Sequence, residues 1–141
     1  MSKLAIVYWT GTGNTESMAE LIREGAASAG VEASLFEADE FSAAEAAAYD
    51  AIAFGCPSMG DEELEDGTFA PMFESVIPVL GNKKIALFGS FGWGEGDWMR
   101  KWEADCAASG IALAAESVTS NYAPNADAAD ACRALGRTLA A

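Results

Sequence analysis

The chain of 141 residues has no histidine, only eight basic residues and no long apolar run. The absence of histidine excludes serine and cysteine hydrolases of the usual histidine-based kind and argues against common zinc sites. The three cysteines, an odd number without close pairing in sequence, indicate reduced thiols rather than a disulfide framework. The apolar runs are too short to span a bilayer, and the N-terminal segment does not look like a signal peptide. We therefore expect a cytoplasmic protein without a membrane-spanning segment. We also expect it to be a monomer that does not bind membranes.

Negative charge dominates the chain, with 22 acidic residues against eight basic ones and a formal charge of −14. Such a surface repels nucleic acid and anionic membranes, so neither is expected as a partner, whereas a basic protein would be attracted. The alternative is that the acidity only keeps the protein soluble. The position of the carboxylates decides between the two.

Strand-like and helix-like segments alternate from end to end, without a linker or a change in composition. This pattern predicts one α/β domain over residues 1–141, with a parallel sheet covered by helices on both faces. The predicted strands are Lys3–Trp9, Val31–Phe36, Asp50–Gly55, Lys84–Gly89 and Ile111–Thr119. The helical patterns cover Asn14–Ala29, Ser42–Ala48, Phe69–Leu80, Trp98–Cys106 and Ala128–Leu139. Pro78 should bend or end the third of these helices.

A glycine- and threonine-rich loop, Thr10–Glu16, joins the first predicted strand to the first predicted helix. Unpaired backbone N–H groups at a helix N-terminus bind phosphate well, and threonine hydroxyls add donors. Equally, glycine, asparagine and threonine are common here because they turn the chain and cap helices. The loop lacks the lysine of a P-loop and the third glycine of a dinucleotide fingerprint. No basic residue lies between Trp9 and Glu20, so neutral groups would hold any phosphate.

Two more unusual loops follow strands that we expect near the centre of the sheet. In Cys56–Asp66, a methionine and a glycine precede five carboxylates within six residues. In Ser90–Asp97, Trp93 stands between glycines, which indicates a ring that covers something flat, although it could also plug the end of the sheet. Ligands of parallel α/β sheets bind beyond the carboxyl ends of the strands, so the three loops predict a single site.

These three loops, in this order, resemble those of the flavodoxins, specifically the short-chain branch typified by clostridial flavodoxins. The resemblance extends from Lys3 to Leu139 and implies a flavodoxin-like three-layer sandwich with strand order 2-1-3-4-5 and one bound FMN. Phe91 stands where relatives often have tyrosine, and Pro57 replaces a serine found in some members.

The resemblance also implies a role for individual residues. Met59 would cover the inner flavin face and Trp93 the outer face, Gly60 would present its backbone to N5, and Glu62 would bond the N3 edge. Asn121 would approach the ribityl chain. The complete set of expected FMN contacts is Trp9, Thr10, Gly11, Thr12, Gly13, Asn14, Thr15, Pro57, Ser58, Met59, Gly60, Asp61, Glu62, Ser90, Phe91, Gly92, Trp93, Gly94 and Asn121.

A low-potential electron carrier that shuttles between flavin semiquinone and hydroquinone is the expected function, without a substrate reaction of its own. We expect the Met59–Gly60 peptide to flip and offer a carbonyl to N5, and the nearby carboxylates to oppose the second electron. Redox proteins with basic docking faces would be the partners. The alternative is an NAD(P)H-dependent quinone or flavin reductase of the same fold, but Trp93 would obstruct its nicotinamide pocket. A phosphorylation receiver is excluded, because its strand-end carboxylates are missing at Tyr8–Trp9 and Gly55–Cys56.

Overall fold

One parallel five-stranded sheet organises the computed structural model, which describes residues 3–92 and 94–141. The strands are β1 (Leu4–Tyr8), β2 (Ser34–Glu37), β3 (Ala51–Gly55), β4 (Lys84–Phe91) and β5 (Val118–Asn121), in the spatial order β2-β1-β3-β4-β5. The helices are α1 (Asn14–Ser28), α2 (Ala43–Ala46), α3 (Phe69–Val76), α4 (Asp97–Ala108) and α5 (Ala126–Ala140). The predicted fold class and strand order are confirmed. None of the helices in the described ranges is long and apolar enough to cross a membrane.

The two faces of the sheet carry separate hydrophobic cores because successive strand residues point to opposite sides. Ala5 and Val7 of β1 pack with α3 and α4 on one face, where Trp98 and Trp102 are among the largest buried side chains. Leu4, Ile6 and Tyr8 pack with α1 and α5 on the other face. The central strands β1 and β3 are buried along their whole length, as expected for a sheet covered on both sides.

Helices α1 and α5 approach so closely that two glycines are required between them. A Cβ atom on Gly25 would lie 2.0 Å from the carbonyl oxygen of Arg133, and one on Gly136 would lie 2.0 Å from that of Ile22. Both distances are far below van der Waals contact, and the opposing atoms belong to backbone that cannot rotate away. We call this contact the glycine seam.

The structure corrects several predicted boundaries. The fifth strand was expected at Ile111–Thr119 but begins at Val118 and extends to Asn121. The apolar residues before it pack on the core, where Leu113 forms only an isolated bridge with Ile85. The second strand begins three residues later than predicted, and α2 is a single turn. Helix α3 ends at Val76, and Pro78 lies in the 3₁₀ turn that follows, in line with the predicted ending.

Candidate functional site

The carboxyl ends of β1, β3 and β4 bring the three unusual loops to one edge of the sheet. Strand β1 is paired with β2 on one side and with β3 on the other, so the chain direction around the sheet reverses between β1 and β3. Such a reversal leaves a crevice outside the strand ends, which is the usual place for a ligand in this kind of fold.

The first loop presents unpaired backbone donors at the N-terminus of α1. Gly13, in the left-handed conformation (φ 93°), precedes the helix, and its N–H is held by the Thr10 hydroxyl at 3.0 Å. Within the part of the chain that the structure describes, the N–H groups of Asn14, Thr15 and Glu16 donate no hydrogen bond. A 15-residue helix adds its positive dipole end to these three donors, so the loop can bind an anion without a basic side chain.

An open cleft of about 170 Å³ connects this loop with the other two. Thr12 and Asn14 contribute a hydroxyl and an amide group to its lining, and Met59 and Phe91 give it apolar walls. Its remaining expected residues are Gly11, Pro57, Ser58, Ser90 and Gly92. The cleft therefore combines polar side chains with apolar walls.

The second loop forms a narrow turn around Gly60. Met59 and Glu63 exchange two backbone hydrogen bonds, both 2.8 Å long. Gly60 (φ 52°) and Glu62 (φ 56°) both adopt the left-handed backbone region that closes this turn. Because the Met59 carbonyl already accepts the Glu63 N–H, it can turn elsewhere only by breaking this bond.

Glu62 joins this turn to α4. Its carboxylate accepts the N–H of Asp97, the first residue of α4, at 2.9 Å, and its carbonyl oxygen accepts from the Lys101 ammonium at 3.3 Å. Gly94 (φ 91°) has a backbone conformation that favours glycine, and a Cβ atom there would lie 2.7 Å from this carboxylate and displace it. Arg100 forms an ion pair with Asp97 that holds the pKa of this carboxyl below its usual range. These contacts make the second and third loops one connected unit.

Three other expected site residues do not line this cleft, namely Thr15, Asn121 and Trp9. The buried hydroxyl of Thr15 is 2.9 Å from that of Ser90 and links α1 to β4. The side-chain amide of Asn121 donates to the carbonyls of Phe91 and Gly92, at 3.2 and 2.9 Å. Trp9 lies beyond Met59, in a neighbouring depression bordered by Gly60. Trp93, which was expected to cover the outer flavin face, lies outside the described residues.

Cys56, next to the cleft, is fully buried, and burial raises the pKa of its thiol to about 12. Its sulfur accepts the N–H of Glu65 at 3.3 Å, and its carbonyl accepts the indole N–H of Trp98 at 3.0 Å. A thiol so far from ionisation is a poor nucleophile, so Cys56 holds the loop in place rather than reacting.

Comparison with known proteins agrees with this geometry. The family model described as Flavodoxin matches residues 6–136. The flavodoxin of Megasphaera elsdenii is 38% identical over 135 residues, which are 96% of each chain, and that of Clostridium beijerinckii is 43% identical over 100 residues, 71% of this chain and 72% of the relative. The solution structure of two-electron reduced M. elsdenii flavodoxin superposes with a TM-score of 0.90 and 39% identity, covering 97% of this chain and 98% of the other.

The chain belongs to the flavodoxin family. The resemblance found in the three loops is therefore confirmed, and this flavodoxin is an FMN-dependent electron carrier. The competing reductase interpretation is not favoured by these relatives.

The residues present in this flavodoxin suit FMN. Three unpaired N–H groups at the start of α1 match the acceptor oxygens of a phosphate, and the neighbouring cleft is walled by Met59 and Phe91, which suit a planar ring system. Thr12 and Asn14 lie where the two parts meet and can bond the ribityl chain or the phosphate.

Sequence reasoning missed Tyr122 as a residue of the cleft, and it missed the contact of Glu62 with the start of α4. Tyr122 lines the cleft beside Gly92. The fifth strand was expected to stop at Thr119, which left Tyr122 outside the strand end; an aromatic residue directly after Asn121 was the available signal. The bond from Asp97 to Glu62 joins residues 35 positions apart, and no local pattern indicates it.

Proposed function

We propose that this flavodoxin is a low-potential one-electron carrier for partners with basic faces and has no substrate reaction of its own. The main support is the concentration of negative charge around a cleft whose phosphate end has no basic residue. Asp61, Glu63 and Asp66 are exposed on the second loop, and Glu95 is exposed on the third. The three buried thiols, all of them free, suit a reducing compartment such as the cytoplasm.

The carboxylates act on the potential through simple Coulomb repulsion. FMN, when bound, supplies one-electron redox chemistry and becomes more negative with the second electron. A carboxylate about 10 Å away opposes that charge by ~1–2 kcal/mol at an effective dielectric constant near 20. In a one-electron couple this corresponds to roughly 40–80 mV for each carboxylate. Lys101 and Arg100 offset only part of this, because two cations stand against the seven carboxylates of the second and third loops.

The turn around Gly60 can supply a carbonyl acceptor at the flavin edge. We expected the Met59–Gly60 peptide to do so, but the Met59 carbonyl is bonded to Glu63. The Gly60 carbonyl accepts no hydrogen bond within the described residues, so rotation of the Gly60–Asp61 peptide requires no such bond to be broken. We therefore place the flip one peptide later. Glycine at this position keeps the rotation inexpensive.

Replacement of Gly60 by alanine tests this assignment. A β-carbon at Gly60, which already has φ 52°, restricts the torsions that the rotation must change. We expect the first one-electron midpoint potential to fall by roughly 40 mV for each ~1 kcal/mol by which alanine strains the rotated form more than the starting form. Gly110→Ala is a matched control, because Gly110 also has a positive φ (80°) and open space around its Cβ position, but lies after α4.

Redox titration of both holoproteins under anaerobic conditions gives the potentials. An unchanged first midpoint in Gly60→Ala, with FMN still bound, contradicts the flip. A wild-type chain that retains no added FMN contradicts the assignment of the cleft. Sustained NADH oxidation by the purified protein alone favours the reductase instead.

A further inference from the structure

Two non-glycine residues in the described ranges have a positive φ, one in the second loop and one directly after β5. They are Glu62 (φ 56°) and Tyr122 (φ 61°). This backbone region is unfavourable for side chains with a Cβ, and an aromatic residue is rarely found there. The side chain of Glu62 has a visible use, because it accepts the first N–H of α4. Tyr122 has no comparable hydrogen bond from its side chain in the described part of the chain, and it is 61% exposed.

The backbone of Tyr122 is held firmly although its ring is exposed. Its N–H donates to the Phe91 carbonyl at 2.8 Å, and its own carbonyl accepts from the Ser120 hydroxyl at 3.1 Å. Asn121, one residue earlier, is tied to the same segment of β4 through its side-chain amide. The fold thus fixes the backbone that carries this exposed ring, and it does so in a left-handed conformation.

The ring lies at the wall of the cleft. A Cβ atom on Gly92 would be 3.3 Å from the ring carbon Cε1 of Tyr122, so the absence of a side chain at Gly92 lets the ring lie close to the backbone. Tyr122 lines the same cleft as Thr12, Met59 and Phe91. The ring carbons of Tyr122 lie closer to Gly92 than its hydroxyl does.

We propose that Tyr122 is a further FMN-contacting residue, whose ring forms the wall of the cleft on the β5 side and covers an apolar part of the bound cofactor. A tyrosine ring provides a large rigid surface with few torsions to order, which suits contact with a planar ligand. The inference rests on FMN occupying the cleft, as in the proposed function. It adds to the expected contacts a residue from the strand end that the sequence pattern misplaced.

Three variants separate a contact from a purely structural role. Tyr122→Gly removes the ring and relieves the strained φ, so we expect FMN to bind about 10-fold more weakly, as for the loss of roughly 50 Å² of apolar contact. The urea midpoint of the same full chain stripped of FMN should stay unchanged or rise. Tyr122→Phe should retain affinity within about 2-fold. Val79→Ala, at another exposed apolar residue that does not line the cleft, is the control.

Serial dilution of each holoprotein, followed by the fluorescence of released flavin, gives the dissociation constants. Weaker binding by Tyr122→Gly with an undiminished urea midpoint supports the contact. Wild-type affinity in Tyr122→Gly overturns it, as does a loss of affinity that only parallels a loss of stability. An equal loss in Tyr122→Phe overturns the ring contact. If only the rate with a redox partner changes, Tyr122 belongs to docking and the inference fails. A wild type that holds no FMN overturns the proposed function and this inference together.

Discussion

Glu62 illustrates how a single side chain in this flavodoxin can serve a distant element. Its carboxylate accepts the N–H of Asp97 and so satisfies one of the donors at the start of α4, where Gly96 as N-cap has no side chain to do so. A negative charge at this end of a helix also interacts favourably with the helix dipole. The predicted bond of Glu62 to the N3 edge of the flavin remains a prediction, and the cap acts alongside it.

Removal of this cap should be measurable as a loss of stability. We expect Glu62→Ala to lower the free energy of unfolding by about 1 kcal/mol, as for other lost helix caps, because alanine at φ 56° keeps the strain and loses the acceptor. Glu62→Gln keeps an acceptor oxygen, so its free energy of unfolding should fall by only about 0.2–0.4 kcal/mol. Urea unfolding of the FMN-free chain gives both values.

The neighbouring residue provides the control for this measurement. Glu63 is exposed, and its part in the turn is made by its backbone, so Glu63→Ala should leave stability almost unchanged. Equal stability of Glu62→Ala and the wild type would contradict the cap.

At this scale, loop chemistry made much of the cleft predictable. Thr12, Asn14, Met59 and Phe91 were expected from the resemblance of the three loops to those of the flavodoxins, and all of them line it. The contact of Thr15 with the phosphate remains a prediction, for which its unpaired N–H is available. Its hydroxyl is buried against Ser90, because the first turn of a helix points some side chains toward the sheet. Side-chain direction at a turn depends on the backbone path, which residue types alone do not specify.

At the scale of elements, the start of α3 depends on another acidic residue. The carboxylate of Glu65 accepts the N–H groups of Gly67, Thr68 and Phe69, at 2.8, 2.8 and 2.7 Å. Partial burial acts to raise the pKa of Glu65, but the three N–H donors outweigh it and hold the pKa below its usual range. The ionised carboxylate is thus the form that stabilises the helix.

This arrangement predicts a pH dependence of stability. A carboxyl group whose pKa is lower in the folded chain stabilises the fold above its unfolded pKa of about 4.3, and the contribution is lost as the pH falls through the folded value. The wild type should exceed Glu65→Gln in free energy of unfolding by about 1 kcal/mol at pH 7. This gap should close on acidification below pH ~4.

Urea unfolding at several pH values measures the gap, and Glu63→Gln serves as the neighbouring control that should show no such trend. A difference between the wild type and Glu65→Gln that stays constant between pH 7 and pH 3 would mean that the charge of Glu65 has no part in the cap.

Elements with strong periodic patterns were predictable, and an edge strand was not. Helix α1 was expected at Asn14–Ala29 and ends one residue earlier, because its apolar spacing and its glycine loop both mark the element. The predicted range of β5 began seven residues before the strand itself. The apolar residues in that stretch, including Ile111 and Leu113, pack on the core without pairing as a strand. The strand itself is polar and mostly unburied at the sheet edge, so hydrophobicity does not reveal it.

At the scale of the whole molecule, charge is distributed unevenly between the two edges of the sheet. Lys3 and Lys84 stand at the amino ends of β1 and β4, and Lys83 precedes Lys84. The exposed carboxylates of the second and third loops stand at the opposite edge, around the cleft. A basic partner would therefore be oriented toward the cofactor before contact.

Three substitutions at each edge separate this steering from net charge alone. Neutralisation of the cleft edge by Glu63→Gln, Asp66→Asn and Glu95→Gln should slow electron transfer to a basic redox protein about 3- to 10-fold at low ionic strength. The matched variant Glu32→Gln, Glu116→Gln and Asp105→Asn removes the same charge at exposed positions away from the cleft and should change the rate little.

Stopped-flow kinetics over a range of salt concentrations measures these rates. The difference between the two triple variants should shrink as the Debye length falls from about 10 Å at 0.1 M to about 3 Å at 1 M. Equal rates for both variants at low salt would assign the acidity to solubility alone.

The glycine seam limits how this chain can diverge. Most packed positions tolerate a change of size because neighbouring side chains rearrange, but at Gly25 and Gly136 the opposing atoms are carbonyl oxygens of the partner helix. No compensating substitution elsewhere makes room for a methyl group there without moving a helix. Natural variants of this flavodoxin should therefore exchange loop charges freely and keep both glycines, and a variant that lost one would have to show a displaced α5.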